Sequence, residues 1–241
     1  MKYIFTIINI YILTMLDSIY TKWFSKSTID NLETYGNCKI VKISLAKHDI
    51  LYKFLRYSFM NVLSDGLWSK ELIKRNINKL KHTYIICTIK DDTDKQINIV
   101  ISKEFTFRCE TRDDWIKYLQ KENREEEIIE LTSFNPDINI NINLLLDQTI
   151  KNIGDENFFI WTPMSSCQDF TKNIVVTIDA FNYKYALLHK HSNIRLYDDF
   201  ANNFITQHID NLFSIMPKRV DTVCNVYILC MKKFYGIDMH Y

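Results

Sequence analysis

The sequence predicts a mixed α/β (α+β) protein, with an N-terminal α+β half and a C-terminal half holding a βαβ-like unit. Three observations carry this. Short runs that alternate apolar and polar residues, or that are wholly β-branched, occur at 38–45, 83–90, 96–102 and 173–178 and have the period of strands. Between them lie longer stretches, such as 47–63 and 197–215, with apolar residues every three or four positions, the period of amphipathic helices. The polar run 133–143 contains Pro136 and divides the chain near its middle. The expected regions are a hydrophobic segment at 1–16, an α+β region at 27–135 and an α/β region at 136–241.

Composition bounds the function classes. The chain has 241 residues, 47% of them apolar, enough for a sizeable core. Thirty basic and 29 acidic residues leave a net charge of +1, so no global field draws the chain to nucleic acid or an anionic membrane. Four Gly and three Pro stand against 35 Ile and 21 Asn. That bias points to an AT-rich genome, such as that of a large DNA virus, a parasite or an endosymbiont. The six cysteines are widely spaced, with no CxxC. They read as reduced, mostly buried thiols.

The elements follow in order. "MKYIFTIINIYILTML" sets one lysine before an uncharged apolar run. It reads as a signal or anchor, as a buried element, or as an untranslated extension with Met15 as the true start. No asparagine lies in an N-x-[ST] sequon. "CKIVKISL" (38–45) is a strand and 47–63 a helix, broken by Asp65-Gly66. A second amphipathic helix spans 67–81, and its outer face carries Lys70, Lys74, Arg75, Lys79, Lys81 and His82. Its basic residues are candidates for phosphate or nucleic-acid contact; a solvated face is the plainer alternative. Strands at 83–90 and 96–102 form a hairpin around "DDTDK", and "EFTFRC" (104–109) adds another. Thr111 caps a helix expected over 111–131. A helix at 144–154 stops at Gly154, and "FFIW" (158–161) reads as a short strand.

The sharpest candidate is Asp179. Residues 173–178 suit a central buried strand, and a carboxylate at a strand's C-terminal end sits where open α/β sheets bind ligands. A helix start near 181–189, a helix at 197–215 and a strand at 221–234 complete the βαβ-like unit. Lesser candidates are a histidine set (His189, His191, His208) and the Ser165-Ser166-Cys167 loop, whose thiol looks the least core-like.

Three local resemblances follow from these residues. "FTFRCETRDDWIKYLQ" (105–120) resembles the last strand and closing helix of pleckstrin-homology domains. "REEE" (124–127) is similar to the acidic core of a Nudix box but lacks its glycines, and reads as a solvated charged face. "VTIDAFNYKYALL" resembles the V-x-I-D-A-x-x-x-x-Y-x-x-L opening of flap-endonuclease (XPG-like, PIN-like) nucleases. That resemblance implies Asp179 as a metal ligand, Tyr185 as the aromatic of the following helix, and Mg²⁺ or Mn²⁺ as the cofactor. Cys230 and Met231 stand where the family has its second metal aspartate and glycine, so this ligand set is incomplete.

The expectation is therefore a non-enzymatic structural or interaction protein, intracellular, with a protein partner and no cofactor. The alternatives are an incomplete metal-dependent nuclease-like protein acting on nucleic acid, and a secreted or membrane-anchored protein using residues 1–16.

Overall fold

A computed structural model of the chain describes residues 25–49, 70, 81–91, 93–103, 107–121, 123–134, 139–154, 158, 166–184 and 192–201. The elements are α1 (Lys26–Tyr35), β1 (Lys39–Asp49), β2 (Lys81–Lys90), β3 (Gln96–Lys103), β4 (Phe107–Thr111), α2 (Arg112–Lys121), β5 (Glu126–Ser133), α3 (Ile142–Ile153), α4 (Cys167–Lys184) and α5 (Ser192–Ala201). The mixed α/β class holds.

The strands form one sheet in the order β4-β3-β2-β1-β5, antiparallel at every pairing. β4 and β5 therefore run in the same direction at opposite edges. Antiparallel neighbours can be joined by tight turns, but strands at opposite edges need a crossover. α2 is that crossover, laid over one face. Trp115 and Leu119 of α2 pack there on Ala46, Tyr84, Ile86 and Val100. The opposite face carries the larger core. There Ile43, Leu45, Ile85, Cys87, Ile99 and Ile101 meet Leu145 of α3, Ile174, Val175 and Ile178 of α4, and Tyr197 of α5. Successive strand residues point to opposite faces, so both cores are written into the same strands.

Local chemistry fixes the ends. Asp91 holds the β2–β3 turn by accepting the N–H groups of Thr93 (2.8 Å) and Lys95 (2.9 Å), and Asp94 takes the turn's positive φ of 62°. Thr111 and Asp114 form a reciprocal cap on α2, as its residue pattern predicts. α3 starts on Asn141, whose Oδ1 accepts Leu144 N–H at 2.8 Å, and stops at Gly154 with φ 82°. Gly36 lets α1 and α3 meet: a Cβ there would collide with Leu32 O and Asn143 Oδ1.

Several expectations are corrected. Residues 173–178 are the interior of helix α4, so Asp179 is not at a strand end. The described strands include none after Ser133, so the βαβ-like unit loses its first strand. The cause is tertiary. Ile174, Val175 and Ile178 are fully buried while Val176 faces out, a helical pattern laid on the sheet. The helix expected over 111–131 ends at Lys121. Asn123 adopts φ 49°, and the N–H groups of Asn123 and Arg124 turn back to Gln120 O and Leu119 O, a Schellman-type stop. "EEIIELTS" then becomes edge strand β5. β1 runs on through Lys47–Asp49, and Lys81 and His82 open β2 rather than closing a helix. Residue 158 is helical. The expectations for 1–16, the rest of 47–63, most of 67–81, 159–161, 185–189, the rest of 197–215 and 221–234 fall outside the described residues.

Candidate functional site

Asp179 is buried on α4 and acts on the next helix. Its Oδ1 accepts Asn193 N–H at 3.3 Å and its Oδ2 accepts Ile194 N–H at 3.1 Å. Both groups lie in the first turn of α5, where N–H groups lack partners within the helix. The carboxylate thus satisfies donors and complements the helix dipole. A divalent cation would have to compete with both N–H groups. Among the described residues no three His, Cys, Asp or Glu side chains gather to hold a metal. The metal pair implied by the nuclease resemblance does not fit this setting.

Of the basic residues, Lys70 is exposed and helical. Lys74, Arg75, Lys79 and Tyr185 lie outside the described residues, as do His189, His191, His208 and Ser165. Cys167 is buried at the first position of α4, not in a loop. Ser166 and Asp169 cap that helix reciprocally, with Ser166 Oγ donating to Asp169 Oδ2 at 2.6 Å.

Two buried polar groupings were not anticipated. Under α2, His48 and His82 face each other on β1 and β2 with ring centroids 5.0 Å apart. Tyr84 and Trp115 pack against them, and Arg124 Nη1 lies 3.3 Å from His48 Nδ1. Beside them Arg112 grips Glu126 with both prongs, Nη1 to Oε1 at 2.7 Å and Nη2 to Oε2, while Tyr84 Oη donates to the same carboxylate. Burial pushes the Glu126 carboxyl up to about 7 and lowers Arg112. The two-pronged contact is what offsets that desolvation.

The second grouping lies on the other face. Lys103 is fully buried at the end of β3, its ammonium 5.9 Å from the Phe170 ring centre. Burial pushes it down to about 7, against the pull of Asp169. Burial likewise raises Asp169. Phe107, Phe158 and Phe170 line this region, with adjacent centroids 5.1 to 5.4 Å apart. The sequence held a signal for it: Ile97, Ile99 and Ile101 alternate inward, and Lys103 continues their register.

The two sheet edges differ. At β4, Thr28 Oγ1 accepts Cys109 N–H at 3.2 Å and Asn31 Nδ2 donates to Cys109 O at 2.9 Å. α1 thus closes that edge. At β5, no described strand pairs with the outer side. Glu126, Ile128 and Glu130 oppose His48, Ala46 and Ser44 of β1, which sets them on the α2 face. Ile128 is 47% exposed, the most open of the large apolar side chains described. Glu127 contacts Lys47 (3.0 Å) and Lys81 (3.4 Å), and Glu130 lies 3.9 Å from Lys42.

The described elements form a three-layer α/β/α body built on an antiparallel sheet. The chain matches no protein-family model, no curated protein and no solved structure.

Proposed function

We propose that this is a non-enzymatic interaction protein that takes an extended segment of a protein partner onto β5. The observation that carries the reading is the contrast between the edges. An open edge presents unpaired N–H and C=O groups, a template for another strand. α1 closes this template at β4, whereas among the described residues nothing pairs with the outer side of β5, which runs beside an exposed Ile128. The acidic groups with chemical potential are already engaged: Asp179 caps α5, Asp169 caps α4, and Glu126 is held by Arg112.

An intracellular setting accompanies this reading. Among the described residues Cys38, Cys87, Cys109 and Cys167 form no disulfide, as a reducing compartment favours. Burial pushes the Cys87 thiol up to about 12 and Cys109 higher still, so both are inert. No helix among the described residues is long and apolar enough to cross a membrane. The acidic character of β5 favours a protein partner over nucleic acid.

Site-specific photocrosslinking in the expressing cell tests the reading. A photoreactive residue at position 128 should give one discrete adduct, mapping to an extended stretch of the partner. The same residue at position 95, in the β2–β3 turn, should not. Equal adducts from both positions, or none from position 128, would contradict it.

A further inference from the structure

The charges along the β5 edge specify the strand that fits it. We infer that the β5 edge selects a strand with the alternation basic–apolar–apolar–basic, and this inference rests on the β5 reading. The flat part of β5 is Glu126–Glu130, ahead of the irregularity where Glu130 and Thr132 pair with Ser44 and Ile43 and leave Leu131 as an extra residue. An antiparallel newcomer would set one side chain directly opposite each of these five.

Opposite Ile128 and Ile129 an apolar side chain covers surface that is now wet. Ile128 gains most, because Ile129 already packs against the main core. Opposite Glu127 and Glu130, whose side chains are 57% and 59% exposed, a lysine or arginine makes a cross-strand ion pair. Opposite charges across a ladder stabilise, and like charges directly opposite destabilise. The lysines on β1 and β2 reach these carboxylates only from the sheet's interior side.

A second copy of the chain is the natural competitor, and the same rule disfavours it. Symmetric β5–β5 pairing centred on Ile128 sets Glu126 opposite Glu130. Centring it on Ile129 sets the exposed Ile128 opposite Glu130. The first register places carboxylate against carboxylate and the second places a carboxylate against Ile128, whereas the basic–apolar–apolar–basic strand gives Glu130 a cation and Ile128 an apolar partner.

The test uses the full chain and fluorescein-labelled, end-capped peptides of roughly ten residues, about the upper length of ordinary strands. One carries the core Lys-Ile-Val-Lys and the other Glu-Ile-Val-Glu, and binding is read by fluorescence anisotropy at low and high salt. The basic peptide should bind, weaken as salt rises, and lose about threefold to tenfold in affinity with Glu130→Lys. The acidic peptide should bind only the Glu130→Lys variant. Ile128→Asp should abolish both, with circular dichroism confirming that each variant is folded. Equal binding of both peptides to the wild type, lost with Ile128→Asp, would overturn the charge rule and leave the edge reading standing. Binding of neither peptide, or binding indifferent to Ile128→Asp, would overturn the edge reading itself.

Discussion

Lys103→Met is the perturbation whose consequence the structure specifies most fully. Methionine keeps an unbranched stem of similar length and removes the charge. A fall of the amine from 10.5 to about 7 corresponds, at about 1.4 kcal/mol per pH unit, to a penalty of up to about 5 kcal/mol for folding around the ammonium. The folded value lies below the unfolded one, so the unfolded chain holds the extra proton between the two. Stability contributed by this site is therefore full above about pH 10.5 and lost as pH falls through about 7. Asp169 would lose an attractive neighbour in the variant, which takes back part of the gain. The expected result is a variant more stable than wild type by about 2 to 4 kcal/mol near pH 7. Wild type should recover about 2 kcal/mol of that difference by about pH 9. Urea unfolding at both pH values measures this. A variant less stable than wild type near pH 7, or two proteins with parallel pH profiles, would refute the reasoning.

Three further substitutions probe the other buried groups. Asp179→Ala should cost about 1 to 2 kcal/mol in urea unfolding, the range for a lost helix cap, and leave Mn²⁺ titration calorimetry as flat as in wild type. Metal binding by wild type that vanished in the variant would revive the nuclease resemblance. Glu126→Gln leaves the half-buried Arg112 without a charged partner; because the pair is only partly enclosed, we expect a loss of about 2 to 3 kcal/mol, read as a lowered Tm. Trp115→Ala empties the centre of the core under α2 and should cost about 3 to 5 kcal/mol, with loss of the near-ultraviolet circular dichroism of the aromatic group.

Much of the N-terminal fold is legible in the sequence, because β1 and β3 alternate, β2 is a short run rich in β-formers buried on both faces, and Asp91 and Thr111 carry recognisable turn and cap chemistry. Two segments mislead for different reasons. "NIVVTID" is β-branched throughout and reads as a strand when taken alone. The wider window sets Phe170, Ile174, Val175 and Ile178 at helical spacing, and packing of that stripe on the sheet overrides local propensity. "REEEIIEL" contains good helix formers, but Asn123 stops α2 and the sheet supplies β1 as a partner. Asp179 stood out as a lone carboxylate after an apolar run, yet its role depends on α5 arriving beside it, which no local pattern encodes. The His48–His82 pairing likewise depends on the register of two strands 34 positions apart.

The most direct test of the central claim is amide hydrogen exchange of the full chain with and without the Lys-Ile-Val-Lys peptide. In the free protein the outward N–H groups of β5 should exchange quickly, while Cys109 N–H on β4, held by Thr28, stays protected. Adding the peptide should slow exchange selectively across Glu126–Glu130. Unchanged exchange in β5, with protection appearing elsewhere, would contradict the account.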